Sequence, residues 1–275
     1  MQIETGPLKK MVSELAQGQV SYGLPVGEQV IPMNELIGQH VTLNYHEHIS
    51  CQHCGRKTKK SYSQGFCFPC MQKLAQSDMC IMKPETCHFH LGTCREPEWG
   101  EQHCFIPHIV YLANTSGLKV GITRKTQIPT RWIDQGATQA LPIFEVDTRL
   151  QSGLVEIELA KLIADKTNWR AMLKGDNKEL DLLDEKQRLM PLISDALADI
   201  KLKYGESAVK ELDQPVVELT YPVEQYPSKV SSFNFDKSPI VAGVLMGIKG
   251  QYLIFDTGVI NIRKFTSYHV DVKVS

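Results

Sequence analysis

The sequence predicts an α+β protein with three parts. These are a zinc-binding cysteine module, a hairpin-and-helix domain, and a small β-barrel or sandwich of C-terminal strands that the N-terminal strands can complete. Three observations predict this. All eight cysteines crowd between Cys51 and Cys104. Two short apolar runs flank the turn residues Asn114–Gly117, and the chain after Pro215 breaks into short β-like runs divided by Gly, Pro, Asp and Asn.

Composition sets the frame. The 275 residues are 42% hydrophobic and 22% charged, enough apolar material for real cores. A formal net charge of −1 excludes a globally basic nucleic-acid coat. The charge is uneven, however: residues 51–131 hold eleven Lys/Arg against five Asp/Glu, and the rest is acidic. The start, MQIETGPLKKMVSEL, lacks the apolar stretch of a signal peptide, and no window approaches a membrane span. A cytoplasmic protein is expected, and in reducing cytosol clustered thiols point to metal rather than disulfides.

Residues 1–48 read as a β segment. Within it 8–17 (LKKMVSELAQ) suggests a short helix, and 20–24, 29–32 and 40–45 suggest strands. Asn34 caps one helical turn. Residues 49–106 form the zinc-binding module. Residues 107–175 contain a hairpin with a four-residue loop, a helix with Arg131 and Trp132, a strand at 142–147 and a helix over about 153–166. Residues 176–210 are connecting helices, kinked or divided by Pro191, and 211–275 are the C-terminal β domain.

Cys51-x2-Cys54 and Cys67-x2-Cys70 have zinc-module spacing: each two-residue gap lets both thiolates of a turn reach one tetrahedral ion. Cys80, Cys87, Cys94 and Cys104 are less regular and predict a second zinc site. A mixed site using His88, His90, His103 or His108 is the alternative, and burial as small hydrophobes is the plain one. Four sulfurs close the coordination shell, so both sites read as structural.

The run His108-Ile109-Val110-Tyr111-Leu112, then Leu118-Lys119-Val120-Gly121-Ile122-Thr123, then Arg131 and Glu156, resembles a GIY-YIG nuclease domain over about residues 107–170. Tyr111 matches the tyrosine of the first motif, Val120-Gly121 the end of the second, Arg131 the helix arginine and Glu156 the metal-binding glutamate. Asn168 falls where excision-repair members carry an asparagine. Lys119 stands where the second motif has its tyrosine, and His108 or Ile109 where the first has glycine. With the cysteine block, WIDQGA and DKTNWR, the whole chain resembles DUF2797, a bacterial family of unknown function.

The resemblance implies a nucleic-acid-acting protein, either a phosphodiesterase or endonuclease using Mg²⁺ or Mn²⁺, or a non-catalytic zinc-stabilised DNA- or RNA-binding protein. Tyr111, Lys119, Arg131 and Glu156 are the candidate catalytic residues. Lys57, Lys59, Lys60, Arg124 and Lys125 are candidate phosphate contacts. Glu158 rivals Glu156, but two residues along a helix point to different faces. Each residue also has an ordinary use: Tyr111 as a core aromatic, Arg131 and Glu156 as surface ions, Gly121 as relief of strand crowding. Trp132, Asp134, Gln135 and Gly136 shape the helix end or a binding surface. Tyr252, Phe255, Arg263 and Lys264 could form a further oligonucleotide surface or an ordinary barrel core and rim.

Overall fold

The computed structural model describes residues 2–175 and 178–275. The chain opens with strands β1 (Gln2–Pro7), β2 (Val12–Ala16), β3 (Gln19–Val26), β4 (Gln29–Pro32), β5 (His40–Ser50) and β6 (Lys57–Thr58). Helices α1 (Phe68–Lys73), α2 (Met79–Met82) and α3 (Pro97–Cys104) follow, then β7 (His108–Asn114), β8 (Leu118–Arg124), α4 (Thr130–Asp134) and β9 (Gln139–Val146). Next come α5 (Arg149–Ala160), α6 (Trp169–Met172), α7 (Leu182–Leu189), α8 (Ser194–Tyr204), β10 (Val209–Glu211) and β11 (Val217–Glu218). The last strands are β12 (Ile240–Lys249), β13 (Tyr252–Phe255), β14 (Gly258–Asn261) and β15 (Tyr268–Val274).

Contacts divide the chain into two units. Unit 1 comprises 1–72, 173–175 and 219–275, and unit 2 comprises 73–172 and 176–218. The division at 72/73 runs through the cysteine-rich stretch, so the two thiol groups belong to different units. The expected boundary at residue 176 lies outside the described residues.

Unit 1 is built on a seven-stranded antiparallel sheet in the order β1-β15-β5-β12-β13-β14, with β6 paired to β5. Thus β15 lies between β1 and β5, with Gly6 opposite Val270 and Val272 opposite Leu43. Alternation explains the faces: Val41 and Leu43 of β5 and Val270 and Val272 of β15 are fully buried. No bridge joins β1 to β14 among the described residues, so the sheet is open rather than a closed barrel. A second sheet, β2-β3-β4, completes the unit.

The expected helix over 8–17 is instead part of that second sheet. Gln17 (φ 51°) and Gly18 (φ 78°) both take left-handed backbone, and Ala16 pairs with Gln19. Two such central residues make a hairpin turn whose twist matches its strands, and this outweighs the local helical pattern.

Unit 2 holds a five-stranded antiparallel sheet, β10-β9-β7-β8 with β11 also on β9. Every residue of β7 is buried, as its unbroken apolar run requires. Val155 and Leu159 of α5, Leu182 and Leu189 of α7 and Ile200 of α8 pack with Val110, Leu112, Val120, Leu141 and Phe144 of the sheet. A one-turn 3-10 helix at Met190–Ile193 separates α7 from α8 where Pro191 removes a helical donor. These helices therefore cover the core of unit 2, rather than merely connecting segments. The hairpin loop is three residues, Thr115–Gly117, and α5 starts earlier than expected because Thr148 forms a capping box with Gln151. Among the described residues, no helix is long and apolar enough to cross a membrane.

Candidate functional site

The first thiol group sits where β5 ends and α1 begins, in unit 1. Its backbone is set by tight turns: Cys51 donates its N–H to the Arg56 carbonyl, Gly55 returns one to the Cys51 carbonyl, and Met71 bonds to Cys67. The sulfurs of Cys51, Cys54, Cys67 and Cys70 all lie within 4.8 Å of one another, and those of Cys54 and Cys67 are 3.7 Å apart. A tetrahedron with Zn–S near 2.3 Å has edges of about 3.8 Å, so the group is close enough to hold a metal such as zinc. Burial raises the Cys51 thiol, but backbone hydrogen bonds from Cys54, Cys67 and His53 outweigh it and hold the group at about 6.

The second group is in unit 2 and departs from the expected four-sulfur set. Cys80, Cys87, Cys94 and Cys104 all line one small cleft, but the donors that lie within 4.8 Å of one another are those of Asp78, Cys80 and His88. Arg95 donates to Asp78 Oδ2 at 2.7 Å, and His88 Nε2 lies 3.6 Å from the same oxygen. Burial, then Asp78 and the other three cysteines, pushes Cys80 up to about 11. His103 is turned elsewhere: it stacks on Trp99 and bonds to the Trp99 carbonyl. Asp78 carries no ligand signal in the sequence, because a lone aspartate two residues before a cysteine has no metal-module spacing.

This group is built onto α5. A Cβ on Gly153 would lie 2.7 Å from both the Glu85 nitrogen and the Pro84 ring, so glycine is what lets the segment seat on the helix. Arg149, at the first turn of α5, donates to the Ile81 carbonyl at 2.6 Å. Arg149 is half-buried, and its guanidinium feels Cys104, Arg131, Cys80 and Glu156. Nothing in the sequence distinguished Arg149 from a surface arginine.

The hairpin residues converge within unit 2. Tyr111 of β7 pairs with Gly121 of β8, and its ring crosses that partner: a Cβ on residue 121 would lie 2.6 Å from Tyr111 Oη. Tyr111 is wholly buried, donates its hydroxyl to Gln135 Oε1 at 2.8 Å, and lies within the electrostatic reach of Arg131. Burial pushes its hydroxyl up to about 12. Lys119 is 4% exposed, and its segment is fixed by Val120, which donates to the Ala164 carbonyl. Burial and then Arg131 pull Lys119 down to about 8, against Glu156 and Asp165. Burial pushes Glu156 up to about 7, against Lys119 and Arg131.

Lys119, Arg131, Glu156 and Asp165 thus act on one another electrostatically, with Lys119 buried, Arg131 and Glu156 half-buried and Asp165 exposed. Glu158 is outside this set, paired with Lys161. Asn168 serves the fold, accepting from the Ala171 N–H at the start of α6 and bonding through its own N–H to Ser116. Trp132 is core, and Gln135 is the tyrosine's acceptor.

The basic residues are scattered. Lys57, Lys59 and Lys60 are exposed on unit 1, and Arg124 and Lys125 belong to unit 2, where Lys125 is paired with Glu145 at 2.7 Å. Phe255 is buried and cannot offer a stacking face, Arg263 donates to Gln64, and Lys264 lies over Phe265.

One family matches this chain: that described as a protein of unknown function (DUF2797), over residues 38–270. No curated protein and no solved structure matches.

Proposed function

We propose, for a chain that belongs to the DUF2797 family of proteins of unknown function, that unit 2 carries a metal-dependent phosphodiesterase site acting on nucleic acid. The observation that carries this reading is the mutual electrostatic influence of Lys119, Arg131 and Glu156, from a strand and two helices, with Lys119 buried and the other two half-buried. Hydrolysis of a phosphodiester needs a cation at the non-bridging oxygens, a proton acceptor and a place for a metal. Arg131 would bind the phosphate. Lys119, with its pKa near neutrality, would take or return a proton at Nζ.

Glu156, helped by Asp165, would hold Mg²⁺ or Mn²⁺, which usually takes one or two carboxylates plus substrate oxygens. When bound, that ion supplies polarisation of water and phosphate. Tyr111 is a positioning residue in this scheme, because its hydroxyl is buried and donated to Gln135. Zinc at Cys51, Cys54, Cys67 and Cys70 would be structural, and a second structural zinc would use the group around Cys80.

One observation favours a second reading, a binding module without chemistry. The motif tyrosine is sealed from solvent, and Lys119 stands where its counterpart would be. Labelled single- and double-stranded DNA and RNA incubated with the protein and Mg²⁺ or Mn²⁺ separate the two. Cleavage lost about 100-fold or more in Glu156→Ala supports the first. No cleavage, but binding that weakens steeply with salt, supports the second. Equal cleavage by wild type and Glu156→Ala overturns the assigned site.

A further inference from the structure

Three of the nine histidines, His46 and His48 just before Cys51 and His269 near the other end of the unit 1 sheet's sequence, meet on one patch of that sheet. Strand pairing brings them there. Tyr45 pairs with Val270 and Ile49 with Tyr268. Between those pairs β15 has His269 alone, whereas β5 has His46, Glu47 and His48. The strand accommodates its two extra residues by turning Glu47 into left-handed backbone, φ 54°. A bulge of this kind re-aims side chains, and strained backbone is kept where the surrounding structure or a function holds it.

The result is two donor pairs side by side on the sheet, His48 with His269 and His46 with Asp271. The rings of His48 and His269 are 4.3 Å apart, edge to face. His46 Nε2 lies 2.9 Å from Asp271 Oδ2. The outer bonds that orient metal ligands are also present. Thr5 Oγ1 donates to the other Asp271 oxygen at 2.7 Å, and Ser50 Oγ lies 2.7 Å from His269 Nε2, leaving Nδ1 as the donor. Burial, then His48 and His46, lowers His269, keeping its ring neutral, while the Thr5 bond helps hold Asp271 below the ordinary carboxylate range.

We infer that His46, His48, His269 and Asp271 form a binding site for a divalent transition-metal ion, distinct from the thiolate sites. Three imidazoles and a carboxylate suit Zn²⁺, Co²⁺, Ni²⁺ or Cu²⁺ and suit Mg²⁺ or Ca²⁺ poorly. No three of the four donors lie within 4.8 Å of one another, so the ion closes the set by drawing the two pairs together through rotation of side chains on a backbone already in place.

Cobalt(II) distinguishes this site from the others, because thiolate ligation gives an intense ultraviolet charge-transfer band and nitrogen–oxygen ligation does not. The full-length protein is titrated with Co²⁺, and bound metal is counted alongside the absorption spectrum. Wild type is expected to bind one equivalent per chain more than His269→Ala or His46→Ala, with an unchanged thiolate band in all three. Half-exposed His46 provides the variant that leaves the sheet interior untouched if His269→Ala fails to fold. Equal stoichiometry in wild type and His46→Ala, or loss of the thiolate band together with the extra equivalent, overturns the site. The cleavage panel above does not depend on either result.

Discussion

The ring of Tyr111 occupies the space where residue 121 would carry a side chain: a Cβ there would lie 2.6 Å from the hydroxyl oxygen and 2.7 Å from Cζ. Two residues paired across a hairpin are thereby interlocked, and the tyrosine reaches Gln135 and Arg131 only because its partner is glycine.

Gly121→Ala should therefore destabilise the protein by about 1–3 kcal/mol, the range for overpacking a filled core. Urea unfolding of Gly121→Ala, Tyr111→Leu and the double variant measures this. The alanine should cost much less in the Tyr111→Leu background, and strictly additive effects would argue against the interlock.

Lys119 and Glu156 predict opposite pH dependences of stability. The folded-state pKa of Glu156 is raised, from 4.5 to about 7, so the unfolded chain gives up that proton first and stability falls as pH rises through this window. Lys119 is lowered, from 10.5 to about 8; the unfolded chain holds its proton longer, so stability rises from pH 8 towards 10.5. Glu156→Gln should flatten the first slope and Lys119→Met the second, each by on the order of 1–2 kcal/mol once solvent screening is allowed for. Chemical denaturation across pH 4–11, on the order of one curve per unit, resolves the two.

Stripping metal from the protein with a strong chelator should lower its thermal midpoint by about 5–10 °C, as removal of a few kcal/mol implies for units of this size. Cys67→Ser should reproduce most of that loss and respond little to further chelation. A midpoint indifferent to chelator and to Cys67→Ser would mean that the first thiol group holds no stabilising ion.

A buried amide pair ties the sheet of unit 2 to later segments. Asn114 Nδ2 donates to Gln139 Oε1 and to the Lys178 carbonyl, while Gln139 Nε2 donates to the Leu180 carbonyl and Glu218. Gln139→Leu leaves several of these groups unsatisfied in the interior and should cost about 2–3 kcal/mol in unfolding experiments. Proton exchange at the amide of Leu180, which donates to Gln139 Oε1, should quicken as well.

What the sequence disclosed follows the range of the forces involved. The hairpin was legible because Ile109–Ala113 and Leu118–Thr123 are short apolar runs around turn residues, a local signal. The thiol pairs were legible because a two-residue gap and a tetrahedral ion impose the same spacing. Residues 8–17 misled because their apolar spacing suits a helix, while two residues with left-handed backbone at the end decide for a hairpin. The roles of Asp78, Arg149 and Gln135 were not legible, since each is defined by a partner brought close through the fold. The same holds for the imidazole patch, where His46 and His48 meet His269 only after strand pairing.

The placement of β15 bears on how the chain is made. A ribosome releases β1 and β5 long before β15, the strand that fits between them. Until residues 268–274 emerge, both earlier strands have an open edge. The segment forming unit 2 can meanwhile gather its own sheet, whose principal strands are neighbours in sequence. Strand β15 then acts as a closing stave between β1 and β5. Trimming those residues would remove the middle of a sheet and leave nascent β1 and β5 available to the wrong partners.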